Sequence, residues 1–290
     1  MTVARVAREL EPRPRAVAIG TFDGVHRGHR RVLQAAVDSG SGLTATVVTF
    51  DPHPRLVLGQ EVELLSTLER RVELMEEAGI EDVLVLEFTE GLSRWEPEDF
   101  VARVLEPIGT QVVVAGAGFR FGRAREGDLD LLRQLGFDVR PVPLVEGISS
   151  SHIRQLLRAG EVEAAARLLG RPAEVEGVVV SGDARGADLG FPTANVEPPP
   201  GLLVAGNGIY AGAAAGTRAA ISIGTNPQYG GMERRIEAFL LDFEGDLYGQ
   251  RLLVELWQRL RDEQAFTSET QLVAQIATDV EATRAAVRPA

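Results

Sequence analysis

Short apolar runs rich in β-branched residues alternate with stretches of helical period along residues 1–170. "RAVAIG" (15–20), "LTATVVTF" (43–50), "DVLVLEF" (82–88) and "QVVVAG" (111–116) read as buried strands. Between them, "HRRVLQAAVDSG" (29–40), "STLERRVELMEEAGI" (66–80) and "PEDFVARVLEPIG" (97–109) carry apolar positions three and four apart, as amphipathic helices do. The second opens with Ser66 and Glu69 at capping-box spacing and sets Leu74 and Met75 on one face. A βαβα rhythm of this kind predicts a mostly parallel sheet covered by helices on both faces, with ligands bound beyond the carboxyl ends of its strands.

The rhythm changes after "LLGRP" (168–172). "AEVEGVVVSGD", "GIYAGAAAG", "RAAISIGTN", "RRIEAFLLDF" and "RLLVELWQRL" are short strand-like runs divided by Gly, Pro, Asn and Asp turns, which predicts a small closed β-barrel. One helix ends the chain, with Ser268 and Gln271 at capping-box spacing and Leu272, Ile276 and Val280 four apart. The boundary is placed at residue 173, giving domains 1–172 and 173–290. No internal repeat is found.

Composition narrows the class. The absence of cysteine excludes disulfides, thiolate metal sites and a cysteine nucleophile, and fits a reducing compartment. Neither a signal-peptide core nor a membrane-length apolar run is present, so a cytoplasmic protein without membrane association is expected. A net charge of −12 counts against nucleic-acid binding. All 30 basic side chains are arginine, so an anionic ligand must be held by arginine, histidine, backbone N–H groups or a metal.

The candidate chemistry starts in "AIGTFDGVHRGHRR" (18–31), where two of the four histidines, His26 and His29, stand three apart after the first strand. At a helix start that spacing puts both rings on one face, beside unpaired N–H groups that favour anions. Gly24 and Gly28 allow close backbone approach. Two solvated loop histidines would give the same spacing. The preceding strand, the glycines and Asp23 favour phosphate chemistry, and a metal site lacks an evident third ligand.

"GTFDGVHRGHR" resembles the H-x-G-H signature of nucleotidylyltransferases, in the context of the bacterial bifunctional riboflavin kinase/FMN adenylyltransferase (FAD synthetase) family. "TFDPHP" (49–54), "GFRFGRAREGD" (118–128) and "ISSSHIRQLL" (148–157) carry the same resemblance through the first domain. It implies a Rossmann-like nucleotidylyltransferase domain in which His26 and His29 hold ATP phosphates and stabilise the transition state as FMN phosphate attacks the α-phosphorus. Gly20, Phe22, Asp23 and Gly24 would complete the phosphate-binding turn. Ser150 and Ser151 are expected to cap the next helix and meet phosphate oxygens, with Arg154 one turn inside, reaching the leaving pyrophosphate. Ser151 stands where the family more often has threonine, and Gly118 where it usually has an acidic or amide residue. His53 either lines the flavin pocket or, with Pro52 and Pro54, shapes a rigid turn; Phe119 and Arg120 are further flavin-side candidates.

In "GDARGADLGFPTANVEPP" (182–199), Gly182, Gly186 and Gly190 free the backbone to wrap a phosphate chain, and Thr193 and Asn195 offer neutral oxygens suited to Mg²⁺. "GFPTAN" resembles the riboflavin kinase motif. Period two places Glu237 on one strand face with Phe239 and Leu241, where burial would raise a carboxyl towards a useful base. Pairing with Arg235 is the plain structural alternative, and the resemblance assigns Glu237 the base role. Arg261 and Phe266 would belong to a flap near the flavin or nucleotide. Ala187 and Gln228 depart from the family's usual arginine and threonine. The resemblance therefore implies riboflavin, FMN and FAD as substrates and products, ATP as co-substrate, Mg²⁺, and a monomer or weak homo-oligomer. The alternatives are a chain whose kinase half alone is active and a flavin- or nucleotide-binding regulator without turnover.

Overall fold

In the computed structural model, residues 1–182, 190–225 and 234–290 are described. The chain divides into two compact units, one of residues 1–62 and 68–148, the other of residues 63–67 and 149–290.

The first unit runs β1 (Thr2–Ala4), β2 (Arg15–Ile19), α1 (Arg27–Val37), β3 (Thr44–Asp51), α2 (Pro54–Val57), α3 (Leu68–Glu77), β4 (Asp82–Glu87), α4 (Glu90–Ser93), α5 (Pro97–Phe100), β5 (Thr110–Gly116), α6 (Leu129–Gln134) and β6 (Asp138–Val142). Its six strands form one parallel sheet in the order β1-β4-β3-β2-β5-β6. All five residues of β2 are buried, as a central strand covered on both faces requires. One face packs Leu33, Val47, Leu74, Met75 and Val85, the other Val17, Leu84, Leu105, Ile108 and Leu132. Each such Leu or Val side chain contributes about 1.5–3 kcal/mol by leaving water. The run 97–109 is not one regular helix: α5 passes into a π-helical turn, Val101–Leu105.

The strand order reverses direction between β2 and β5, the switch point where open α/β sheets leave a crevice beyond their carboxyl ends. The dihistidine segment follows β2, "DPHP" follows β3 and "GFRFG" follows β5. Three sequence motifs far apart in the chain thus emerge at one edge.

The second unit contains α7 (Ser150–Arg158), α8 (Val162–Leu169), β7 (Ala173–Val180), β8 (Ala194–Glu197), β9 (Gly208–Ala214), β10 (Thr217–Thr225), β11 (Arg234–Leu240), β12 (Arg251–Arg261) and α9 (Glu269–Ala285). Its strands close into an antiparallel barrel in the order β10-β11-β8-β7-β12-β9. Alternate residues, among them Val175, Val196, Ile221, Ile236, Ala238 and Val254, fill the interior, as a six-stranded barrel demands. Ser268 caps α9 by accepting a hydrogen bond from the Gln271 N–H, as its spacing predicts.

Candidate active sites

The dihistidine turn is built by α1. His26 is its N-cap, and its Nδ1 accepts from the His29 backbone N–H at 3.2 Å. This bond satisfies one of the helix's orphan donors and orients the ring. The two imidazoles stack with centroids 3.6 Å apart and planes 15° apart, and Phe22 meets His29 edge-on at 5.4 Å. Gly28 leaves room for this stack, because a Cβ there would stand 3.1 Å from His26 Cε1 and press on the ring. Phe22 and Val25 take φ values of 51° and 36°, in the left-handed region that branched and bulky side chains avoid. Such strain costs on the order of 1–3 kcal/mol per residue and gathers at functional turns.

His26 is buried and His29 half-buried, with His29 Nδ1 shielded and without a hydrogen-bond partner among the described residues. Burial, then His26, then Arg71 push the His29 pKa well below the ordinary imidazole range, so the ring is neutral at physiological pH. Asp23 is buried in the turn; Gly20 precedes it, facing the Phe22 ring.

Arg71, which the sequence reading passed over, lies 1% exposed on α3 and donates to the Thr21 and Phe50 carbonyls at 2.8 and 3.3 Å. Its signal in the sequence was slight: an arginine flanked by Val72 and Leu74 in an amphipathic helix.

His53 caps α2, its Nδ1 accepting from the Arg55 N–H at 3.2 Å. Phe119 stacks on Phe121 at 5.7 Å, and Arg120 pairs with Asp128 at 3.1 Å. Gly118 is exposed, and a Cβ there would meet nothing within 4 Å.

Ser150, Ser151 and Arg154 fall in the second unit. The cap of α7 is Ser149, whose hydroxyl accepts from the His152 N–H, and not Ser150 or Ser151, which occupy the first helical turn. The helix starts at least one residue earlier than that expectation required. Arg154 is buried and its Nε donates to the Glu63 carbonyl at 2.6 Å.

In the barrel, Glu237 stands directly opposite Asn195 on one side and Ser222 on the other. Directly opposed residues share a face, so Ser222, Glu237 and Asn195 form a polar row across three strands. Ser222 was not among the residues singled out from the sequence, and Asn195 lies in β8. The sequence reading set Glu237 in an apolar, buried setting. The structure instead leaves Glu237 half-buried on the face opposite Ile236, Ala238 and Leu240, because barrel closure turns those three inward. Phe239, on the carboxylate's face, meets Phe191 edge-on at 5.3 Å.

Thr193 is half-buried one residue before β8. A Cβ on Gly182 would lie 2.7 Å or less from three Asn195 side-chain atoms, so only glycine admits the amide there. The neutral oxygens of Thr193 and Asn195, with a cradle that glycine alone leaves open, fit a hard divalent cation that takes its remaining ligands from phosphates and water. Gly190, at φ 85°, is exposed; Gly186, Ala187 and Gln228 lie outside the described residues. Arg261 is engaged by Asp279 of α9 at 2.7–3.2 Å and lies 5.9 Å over the Phe266 ring.

A strained dihistidine turn at a parallel-sheet switch point and a barrel that sets a carboxylate opposite an amide give the chain two separate polar centres, and comparisons with known proteins place it among two-part nucleotide-transferring enzymes. The family model described as FAD synthetase matches residues 8–153, and the one described as riboflavin kinase matches residues 169–287. The bifunctional riboflavin kinase/FMN adenylyltransferase of Listeria monocytogenes is 34% identical over 93% of this chain and 92% of its own length. The corresponding proteins of Bacillus subtilis and Pseudomonas fluorescens are 35% and 36% identical, covering 91% and 100% of this chain and 89% and 99% of theirs. A crystal structure described as a macrolide-efflux protein from Streptococcus pneumoniae matches with a TM-score of 0.87 and 30% identity, covering 97% of this chain and 98% of that one. Among the described residues no helix is long and apolar enough to cross a membrane. The chain belongs to the bifunctional riboflavin kinase/FMN adenylyltransferase family.

Proposed function

We propose that the barrel domain, residues 173–290, phosphorylates riboflavin to FMN, and that residues 1–172 then join FMN to the AMP moiety of ATP. In the first step Glu237 accepts the proton of riboflavin's primary hydroxyl as its oxygen attacks the γ-phosphorus, giving FMN and ADP. Thr193 and Asn195 would hold Mg²⁺, which when bound offsets the phosphate charge. In the second step an FMN phosphate oxygen attacks the α-phosphorus of ATP and pyrophosphate leaves. His26, His29 and the N-terminal N–H groups of α1 position the phosphates and stabilise the charge that develops.

The observation that carries this reading is that each half gathers its own chemistry: stacked His26 and His29 at the carboxyl edge of the sheet, and Glu237 opposite Asn195 in the barrel. The roles of Ser150, Ser151 and Arg154 towards phosphate, and of His53, Phe119, Arg120, Arg261 and Phe266 towards flavin, rest on the family resemblance. A cytoplasmic setting is supported by the acidic, cysteine-free composition.

Product chromatography with riboflavin, ATP and Mg²⁺ tests the division. His29→Ala should accumulate FMN without FAD, and Glu237→Ala should convert supplied FMN to FAD yet leave riboflavin unphosphorylated. Loss of both activities in either variant, with the fold intact, would overturn the assignment.

A further inference from the structure

The dihistidine turn and the "DPHP" turn leave different strands, and a single buried side chain holds both. Arg71 Nη1 donates to the carbonyl of Thr21, adjacent to Phe22, and to that of Phe50, adjacent to Asp51. We propose that Arg71 is a positioning residue for adenylyl transfer, its guanidinium fastening the carboxyl ends of β2 and β3 so that His26 and His29 keep their stacked geometry. The inference rests on reading that pair as the adenylyl-transfer histidines.

Burying a guanidinium is costly, and a purely structural one is normally matched by a close carboxylate. Here the ion pair with Asp51 is long, 3.9 Å from Nη2 to Oδ1, while the 2.8 Å bond goes to the main chain at Thr21. Nε is shielded and has no partner among the described residues. A single nitrogen, Nη1, reaches the carbonyls of both segments, and the long side chain with its planar end carries it there from α3.

The position has an electrostatic consequence. His29 is faced by His26 from its own turn and by Arg71 from α3; Arg71 is faced by Asp23 of the turn, Asp51 of β3 and Glu69 of α3. Burial is the first cause that lowers His29, and the charges of His26 and Arg71 add to it. A clamp that also carries charge therefore leaves a mark on His29 that a merely structural side chain would not.

The test uses the full chain with Arg71→Met and Arg71→Lys. FMN-to-FAD conversion is followed from about pH 5.5 to about pH 9. Riboflavin phosphorylation by the same preparation controls for folding, and NMR titration of the imidazoles is assigned with His29→Gln. Arg71→Met should lower adenylyl-transfer kcat by about tenfold to a hundredfold. It should move the His29 titration and the acidic limb upward by roughly one pH unit, with riboflavin phosphorylation unchanged. Arg71→Lys keeps the charge but not the reach and planarity that set Nη1 between the two carbonyls, so it should lose rate while His29 titrates as in the parent. A parental kcat in either variant overturns the proposal, and so does a slowed Arg71→Met whose His29 titration has not moved. If Arg71→Met does not fold, Arg71→Lys decides by its kcat. Full FAD synthesis by His29→Ala would instead sink the reading of the histidine pair, whatever Arg71 does.

Discussion

Replacing Asp82 by Asn should destabilise the first unit far more than a surface substitution would. Asp82 opens β4, and its Oδ2 accepts from Arg13 Nη2 and Arg15 Nη1, each at 2.6 Å. Arg15 is fully buried, and its other bonds go to the Ile108 and Glu11 carbonyls and the Thr46 hydroxyl, so Asp82 is the carboxylate bonded to that guanidinium. Removing one partner of a buried pair costs about 3–5 kcal/mol, because the remaining charge is left desolvated. Asparagine keeps an acceptor oxygen, so about 3 kcal/mol is expected here. The dependence on pH supplies a second signature. Burial alone would raise the Asp82 carboxyl, but hydrogen bonds from Arg15, Arg13 and Thr2 outweigh it and hold the group below its ordinary value. A carboxyl lowered by folding contributes stability above its unfolded pKa of about 3.9, and the contribution is lost as pH falls through the lower folded value. The parent should therefore converge on Asp82→Asn in acid. Urea unfolding in a Trp257→Phe background, where Trp95 is the remaining tryptophan and reports on the first unit, measures both. A gap below about 1 kcal/mol at neutral pH, or a gap that does not narrow in acid, would refute the reasoning.

Three further outcomes follow from the sites. Gly28→Ala presses a methyl group against the His26 ring, so FAD synthesis should fall by about tenfold or more while riboflavin phosphorylation persists, as paired kinetic assays would show. Gly118→Asn restores a residue usual in the family into open space; the fold should be unaffected and kcat/KM for FMN should rise or hold, a fall being contrary. Gly182→Ala displaces the Asn195 amide and should raise the Mg²⁺ concentration needed for half-maximal FMN formation by about tenfold, without altering FAD synthesis from supplied FMN.

Strands β2 to β5 were legible because a central parallel strand needs apolar residues on both faces, and such runs stand out in the chain. The short β1 and the four-residue β8 were not, since "TVA" and "ANVE" are too short for periodicity and owe their pairing to partners far away. Period two correctly put Glu237 and Phe239 on one face, but which face turns inward is decided by barrel closure. The buried charges Arg15, Arg71 and Asp82 were invisible for a similar reason. A charge reads as solvated until the tertiary fold brings distant partners, such as the Ile108 carbonyl 93 residues from Arg15, Asp82 67 residues from it, and the Phe50 carbonyl 21 residues from Arg71. The histidine pair was legible from spacing, while its stacking and its cap required the turn.

The account's central claim is that two separate centres act in sequence on one chain. Mixing His29→Asn protein with Glu237→Gln protein tests it most directly. Each alone, given riboflavin, ATP and Mg²⁺, should yield no FAD, and the mixture should yield FAD through FMN released by the first and taken up by the second. A mixture that stays silent although both proteins are folded, or either variant making FAD from riboflavin unaided, would contradict it.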